Sequence, residues 1–477
     1  EIDEGPQVLW RDINVAITGA AAADEVFGER LPPAMSRGTP LRHSDYDQYK
    51  QAMQITALQR GYLDASFVDN RFDVWPDELA ADVSLAFNSG QRYALGDIEF
   101  EQSVLQTTLV RRYVVLEPGE PYDSSLLTRA YRDLSDSGYF RRVEITPEYD
   151  KAADGRVPIT IRLEPADRIE YTIGAGFATD TGPRLRAGFR NRRVNSRGHR
   201  FNASLRWSPV VAGLSSEYRK PLTDPRTDWL SYTSSVDRED TATSENDRLQ
   251  VGVRRSKRLG QTWIRTLALD YSFERFNVGE VDDISRLVLP SIAFDHKSAD
   301  RDLYPSSGRR LSFEARAADE SLGSSTSFVQ LVARLKWVRS LSDNSRILAR
   351  LTAGMTAKDD LEELPPTLRF FAGGDESVRG FGYETLGPED EEGNVTGGSN
   401  LLVGSIELER RLKGNFYGAV FVDAGNAFNG SDIDPAVSTG LGIKWRSPIG
   451  PLRVYLGHPL NKSDRSVRLH ISLGAEL

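Results

Sequence analysis

From about residue 169 to the C-terminus, apolar and polar side chains take turns. The last segment shows it most plainly: Val467, Leu469, Ile471, Leu473, Ala475 and Leu477 are interleaved with Arg468, His470, Ser472, Gly474 and Glu476. Arg200–Trp207, Arg184–Arg190 and Arg310–Arg316 repeat the pattern. A period of two puts every apolar side chain on one face of a strand and every polar one on the other. Sixteen such segments start near residues 169, 184, 200, 213, 228, 247, 263, 284, 309, 326, 345, 400, 415, 437, 452 and 467. Turn signals such as Asn195-Ser196-Arg197-Gly198, Thr223-Asp224-Pro225 and Pro305-Ser306-Ser307-Gly308 separate them. An even number of strands of roughly ten residues is the pattern of bacterial outer-membrane barrels.

A soluble β-sandwich alternates too, with its apolar face turned inward. Here arginine recurs on the non-apolar face, beside Trp207, Trp229, Trp263, Trp337 and Trp445. Charge on that face suits a wet lumen, and the aromatics suit interfacial girdles, so the pattern favours a transmembrane β-barrel of 16 antiparallel strands. With sixteen strands both barrel ends lie on the side of the N-terminal region. The link after an odd-numbered strand then faces outward, and the longest, 357–399, falls between the eleventh and twelfth segments.

The first 166 residues mix helical and strand patterns. Asp12 to Thr18 alternates through Ile13, Val15 and Ile17. A helix is expected from about Ser44, capped by it with Asp47 three residues on, and ending at Gly61. Tyr62 to Val74 and the alternating Ala81, Val83, Leu85 and Phe87 follow. The order then recurs: Ile98 and Phe100, a helix capped by Asp123 and ended by Gly138, then Tyr139-Phe140 and Val157, Ile159, Ile161 and Leu163. Both helices end in a Gly-Tyr pair, Gly61-Tyr62 and Gly138-Tyr139, 77 residues apart. The reading is a strand-helix-helix-strand-strand unit present twice, giving small α+β domains at 1–91 and 92–166 and a barrel at 167–477. Each small sheet offers an edge strand that an extended segment can lengthen by backbone hydrogen bonds. The plain alternative is a passive spacer.

Composition narrows the chemistry. The 477 residues include no cysteine, which excludes disulfides, thiolate metal sites and cysteine nucleophiles. No stretch approaches the ~18 apolar residues of a spanning helix, and mean hydropathy is negative; neither fact bears on a strand-built membrane protein. The net charge of −9, without a basic block, gives no sign of nucleic acid. His43, His199, His296, His458 and His470 are scattered, with no nucleophile motif or metal spacing. No enzyme activity, cofactor or metal is therefore expected. The chain starts at Glu1 without a signal stretch, as a mature or truncated form would, and Glu1 to Gly5 leave no room for a plug helix.

The long outward link carries Phe370-Phe371-Ala372-Gly373-Gly374-Asp375-Glu376-Ser377-Val378-Arg379-Gly380-Phe381-Gly382-Tyr383. Its glycines are not followed by the Gly-Lys-Ser/Thr of a nucleotide loop. Val378-Arg379-Gly380-Phe381 resembles the signature of the outer-membrane protein assembly superfamily, which includes BamA, TamA and the two-partner secretion transporters. The resemblance implies a loop folded back into the barrel, its Arg379 meeting luminal carboxylates at Glu407 and Asp423. Alternation agrees: Glu407 lies between Ile406 and Leu408, and Asp423 between Val422 and Ala424, so both face the lumen. The bland alternative is that these carboxylates only hydrate it. Gly440-Leu441-Gly442, Ser447 to Pro451 and Asp302 to Gly308 also match, and the paired N-terminal units resemble polypeptide-transport-associated (POTRA) domains. Ala178 to Arg184 and Leu473 to Leu477 look most like the TamA subfamily. TamA has three POTRA domains against the two seen here, so the chain either lacks the first or is a shorter relative.

The resemblance implies a lateral gate where the first strand (Ile169 to Ala178) meets the last (Val467 to Leu477). Gly174, Gly176 and Gly474 lie there, and glycine weakens a strand interior. Alternatively they only relieve crowding where the barrel closes. The implied protein is a bacterial outer-membrane insertase with its POTRA domains in the periplasm. Its implied partners are client outer-membrane proteins such as autotransporters, outer-membrane lipid and an inner-membrane-anchored, periplasm-spanning TamB-like protein. A two-partner secretion pore and a general assembly factor of BamA type are the alternatives.

Overall fold

A computed structural model describes residues 6–28, 33–301, 304–358, 361–447, 450–462 and 466–473. It divides into two compact units, Glu1–Asp167 and Arg168–Leu477.

The first unit holds β1 (Leu9–Thr18), α1 (His43–Gln59), β2 (Ser66–Trp75) and β3 (Ala80–Asn88), then β4 (Ala94–Glu101), α2 (Thr107–Arg111), α3 (Ser124–Asp136), β5 (Phe140–Pro147) and β6 (Arg156–Pro165). They form two three-stranded sheets, ordered β1-β3-β2 and β4-β6-β5. In each the central strand pairs parallel to the first and antiparallel to the second. The central strands are the most apolar, and Val83, Leu85, Phe87, Val157, Ile159, Ile161 and Leu163 are buried.

Both Gly-Tyr pairs end their helices in the same way. Gly61 (φ 85°) and Gly138 (φ 70°) take the left-handed turn that other residues resist, and Tyr62 and Tyr139 drop into the core. Asp123 caps α3, its carboxylate accepting the Ser125 N–H at 2.8 Å. Two expectations fail here. The first helix of the first repeat is replaced by short 3-10 turns, at Ala20–Ala23, Glu25–Phe27 and Pro33–Met35. Ser44 also does not cap α1. Leu41 N–H is held by the Val8 carbonyl at 2.8 Å, so the chain stays extended to Arg42 and is helical from His43, with no side-chain cap.

The second unit is a closed barrel of sixteen antiparallel strands. They are β7 (Ile169–Ala178), β8 (Gly182–Asn191), β9 (Arg200–Trp207), β10 (Val211–Pro221), β11 (Asp228–Asp240), β12 (Ser244–Leu259), β13 (Trp263–Val278) and β14 (Val281–Ala299). The remainder are β15 (Ser307–Ala318), β16 (Phe328–Ser342), β17 (Ser345–Ala357), β18 (Asn400–Lys413), β19 (Phe416–Phe428), β20 (Ala436–Ser447), β21 (Gly450–Pro459) and β22 (Arg468–Leu473). Alternation decides which side chains leave the barrel wall. Tyr171, Ile173, Ile406, Leu408, Leu441, Ile443 and Leu456 are exposed on the outer face, where lipid replaces water as the apolar solvent.

Trp207, Trp337, Trp263 and Trp445 have the outward parity of their strands, and Trp263 meets Phe313 as Trp445 meets Phe416. Trp229 does not belong to a girdle. It sits on the opposite parity from exposed Tyr232 and Val236 and is 8% exposed. The Arg200 and Arg219 guanidinium carbons lie 4.7 and 4.8 Å from its ring centroid, a cation–π sandwich within the lumen.

The longest ladders lie in the middle of the barrel wall. β13 and β14 pair from Trp263↔His296 to Val278↔Val281. Among the described residues, β22 and β7 pair only at Ser472↔Ala178. The Thr179 N–H adds a bond to the Ile471 carbonyl at 3.0 Å.

Candidate functional site

The link between β17 and β18 folds upon itself. Isolated bridges join Phe370 to Gly398, Ala372 to Leu386 and Glu389 to Val395. Its root is tied by the buried Arg369, whose guanidinium donates to the carbonyls of Leu364, Thr396 and Glu362 at 2.8–3.0 Å. Val378 and Phe381 pack with Ala372, Leu386, Val403 and Ala436 in an apolar cluster, which seats the motif against β18 and β20. Gly380 (φ 99°) turns the chain there. A Cβ on Gly457 of β21 would lie 2.7 Å from the Gly380 nitrogen, so the loop tip and the barrel wall touch backbone to backbone.

That seating delivers Arg379 into a fully occupied socket. Its Nε and Nη2 donate to the two oxygens of Asp423, each at 2.8 Å, a bidentate pair. Nη1 donates to Glu407 at 2.5 Å and Nη2 also to Ser405 Oγ at 3.1 Å. The Arg379 N–H adds a bond to Asp423 at 3.0 Å. The guanidinium carbon stands 3.5 Å from the Phe421 ring centroid and 4.8 Å from that of Tyr455. Arg379 is 3% exposed and Asp423 0%, so the carboxylates do not serve bulk hydration. Burial opposes the arginine's charge, but the bonds and charges of Asp423 and Glu407 outweigh it and raise its pKa above the ordinary value.

The network runs further than the motif. Glu407 also accepts from Tyr455 Oη at 2.8 Å and lies 3.8 Å from Lys444 Nζ. Lys444 in turn pairs with Glu409, which is wholly buried and also bonded by Arg346. Sequence reasoning missed this extension. The available signal was parity: Glu409 follows Glu407 by two and shares its face. A second tie lies beside a cavity of about 170 Å³, where Lys336 and Arg350 approach Glu376 of the loop at 3.3 and 3.4 Å.

At the seam, Gly174 and Gly176 have the luminal parity of β7. Among the described residues, a Cβ on Gly174 would meet nothing within 4 Å, and one on Gly176 would approach the Leu473 carbonyl at 3.4 Å. Gly474 lies outside the described residues. The crowded glycines are elsewhere: a Cβ on Gly440 would overlap the Leu456 carbonyl, and one on Gly442 the Tyr455 ring. Asp180, Asp375 and His470 converge beside the seam as the one carboxylate–histidine group of metal-ligand type among the described residues.

Comparison with known proteins agrees with this architecture. Residues 184–476 match the Omp85 superfamily domain, and residues 93–166 match the POTRA family described as the surface antigen variable number repeat. The outer membrane protein assembly factor BamA of Nitratidesulfovibrio vulgaris is 21% identical over 435 residues, 85% of this chain and 54% of that protein. BamA of Neisseria meningitidis serogroup B is 21% identical over 502 residues, 90% and 63% respectively. The chloroplastic outer envelope protein 80 of Oryza sativa is 24% identical over 416 residues, 77% and 59%. The chain thus spans little more than half the length of these relatives. In fold it is similar to BamA from Haemophilus ducreyi lacking POTRA domains 1-3, with TM-score 0.84 at 17% identity over 98% of this chain and 99% of that one. CdiB from Acinetobacter baumannii gives TM-score 0.55 at 15% identity, covering 99% and 91%. These similarities do not single out the TamA subfamily. With the family domain covering more than half of the chain, this outer-membrane β-barrel with POTRA-type domains belongs to the Omp85 superfamily.

Proposed function

We propose that the protein is an outer-membrane protein assembly factor of BamA type, a non-enzymatic insertase that works by parting β7 from β22. The observation that carries this reading is the seam itself, where the first and last strands of the closed barrel meet and, among the described residues, pair at Ser472↔Ala178. A parted seam offers two strand edges with unpaired N–H and C=O groups, and a client strand satisfies them largely regardless of its sequence. Among the described residues nothing crowds Gly174 or Gly176, so their part in this reading is to leave the edge weak. The Arg379 socket holds the loop in the lumen while the edge moves. The outer strands of the two small sheets hold clients by the same edge pairing.

The partners in this reading are client outer-membrane proteins and the surrounding lipid. Its narrower form, with autotransporters as clients and an inner-membrane-anchored TamB-like protein, rests on the TamA-like residues Ala178 to Arg184. The test uses the paired position. The chain has no cysteine, so Ala178→Cys with Ser472→Cys gives a single disulfide across the seam. In vesicles of phosphatidylethanolamine and phosphatidylglycerol, the oxidised protein should stay folded and lose client insertion, and the reduced one should regain it. Insertion that continues with the crosslink confirmed would refute the gate.

A further inference from the structure

Side chains cross the seam beside its backbone pairing at Ser472↔Ala178. Asp180 lies in the turn after β7, His470 on the luminal face of β22, and Asp375 in the loop. The Asp375 N–H donates to Asp180 Oδ2 at 2.6 Å. His470 Nδ1 bonds Asp375 Oδ1 and stands 4.0 Å from Asp180 Oδ1. His470 Nε2 accepts the Gly380 N–H at 2.9 Å. A Cβ on Gly374 would come 2.8 Å from Asp180 Oδ2, so the loop backbone fits against this carboxylate only because glycine is there.

We propose that Asp180 and His470 are positioning residues that hold the seam shut through Asp375 of the loop, and that the Asp180–Asp375 bond is the one that breaks on opening. The direction follows from where the loop is anchored. Arg379 binds it to β18 and β19, and Gly380 lies on β21 and bonds to β22. All of these strands are on the C-terminal side of the seam. On the N-terminal side the loop is tied to the turn after β7 by Asp180. Farther round the wall it is tied by Tyr383 to Glu239 of β11 at 3.5 Å and by Thr367 to Glu274 of β13 at 2.7 Å, neither of which borders the seam. When the edge parts, the loop stays with β18–β22 and lets go of Asp180.

The three side chains are also ligand types for a transition metal. The ring's proton decides against that use. A nitrogen that accepts an N–H bears no proton, so Nδ1 carries the proton of the neutral ring and donates it to Asp375. A metal at Nδ1 would move that proton to Nε2 and set it against the Gly380 N–H.

The inference rests on the gate reading, and its test needs no client, so the two can fail separately. Spin labels at Ile173→Cys and Leu456→Cys, on the lipid face of β7 and β21, report seam width in the full chain in lipid vesicles. A second pair, Glu391→Cys and Leu441→Cys, reports whether the loop stays on the C-terminal side. Asp180→Ala should raise the open-to-closed ratio roughly tenfold or more, the effect of losing one charge-assisted bond, while the second distance and the unfolding temperature hold. Asp180→Asn, which keeps an acceptor oxygen, should restore the closed distance. His470→Phe should open the seam, and His470→Gln, which keeps one donor and one acceptor, should not. This second pair of variants decides the matter if Asp180→Ala does not fold. An unchanged seam in both Asp180→Ala and His470→Phe overturns the proposal. So does zinc chloride that narrows the distance in a His470-dependent way.

Discussion

Arg379 is worth isolating because its partners are as buried as it is. Removing one member of a desolvated ion pair leaves an uncompensated charge and costs about 3–5 kcal/mol. Arg379→Glu should therefore lower barrel stability by about that amount, and Asp423→Arg in the same chain should recover part of it. Denaturant unfolding of both single variants and the double would show non-additive energies; simple addition would mean the two residues do not act as a pair. Glu384 gives a second prediction. It holds φ 58° in the loop, and burial, then the charge of Glu239, push its carboxyl up to about 7. A carboxyl raised in the folded state favours docking when protonated. That contribution is complete below its ordinary 4.5 and disappears as pH rises through about 7. Protease protection of the loop should accordingly fall as pH rises from about 4.5 through about 7, and Glu384→Gln should flatten the change.

Strands were legible because a two-residue period separates lipid from lumen whatever the register. The strand starts inferred from alternation fall within three residues of those observed. What alternation cannot convey is which luminal side chains meet, because that depends on stagger between strands far apart in sequence. Glu407 and Asp423 were found through the loop motif, whereas Glu409, Lys444 and Arg346 carry no motif and emerged only once the strands were side by side. Trp229 was misassigned for a related reason: an aromatic near a strand end suits a girdle, but its parity faces the arginines. The α1 cap failed because pairing at Leu41 overrode the local preference of Ser44. Strand glycines split into two kinds that sequence cannot separate. Gly440→Ala should destabilise the barrel by roughly 1–3 kcal/mol, since the Leu456 carbonyl it would overlap can yield only by backbone movement. Gly174→Ala should be neutral, or stabilising by about 0.4–1 kcal/mol, through a less flexible unfolded chain. Equal effects at the two sites in thermal unfolding would contradict the packing described.

At the scale of the molecule, the superfamily could be recognised from fourteen residues of one loop, Phe370 to Tyr383, because they meet a demanding geometry. Gly380 must turn, Arg379 must be matched, and Val378 and Phe381 must be covered. The subfamily was not recoverable in the same way. Ala178 to Arg184 form a turn between two strands, a feature shared too widely to discriminate, and most of Leu473 to Leu477 lies outside the described residues. The two repeats were visible as repeats through their Gly-Tyr helix ends, although the first helix of the first copy had given way to 3-10 turns.

The seam joins the first and last strands of the barrel, so its bonds span nearly the whole of that unit; Ile471 and Thr179 are 292 positions apart. Contacts so distant along the chain bring the largest loop-closure penalty and form late. In this barrel they also need both terminal strands in place. If the seam is the gate, parting it for a client reverses the protein's own closing step of maturation, and each release of a client repeats that step.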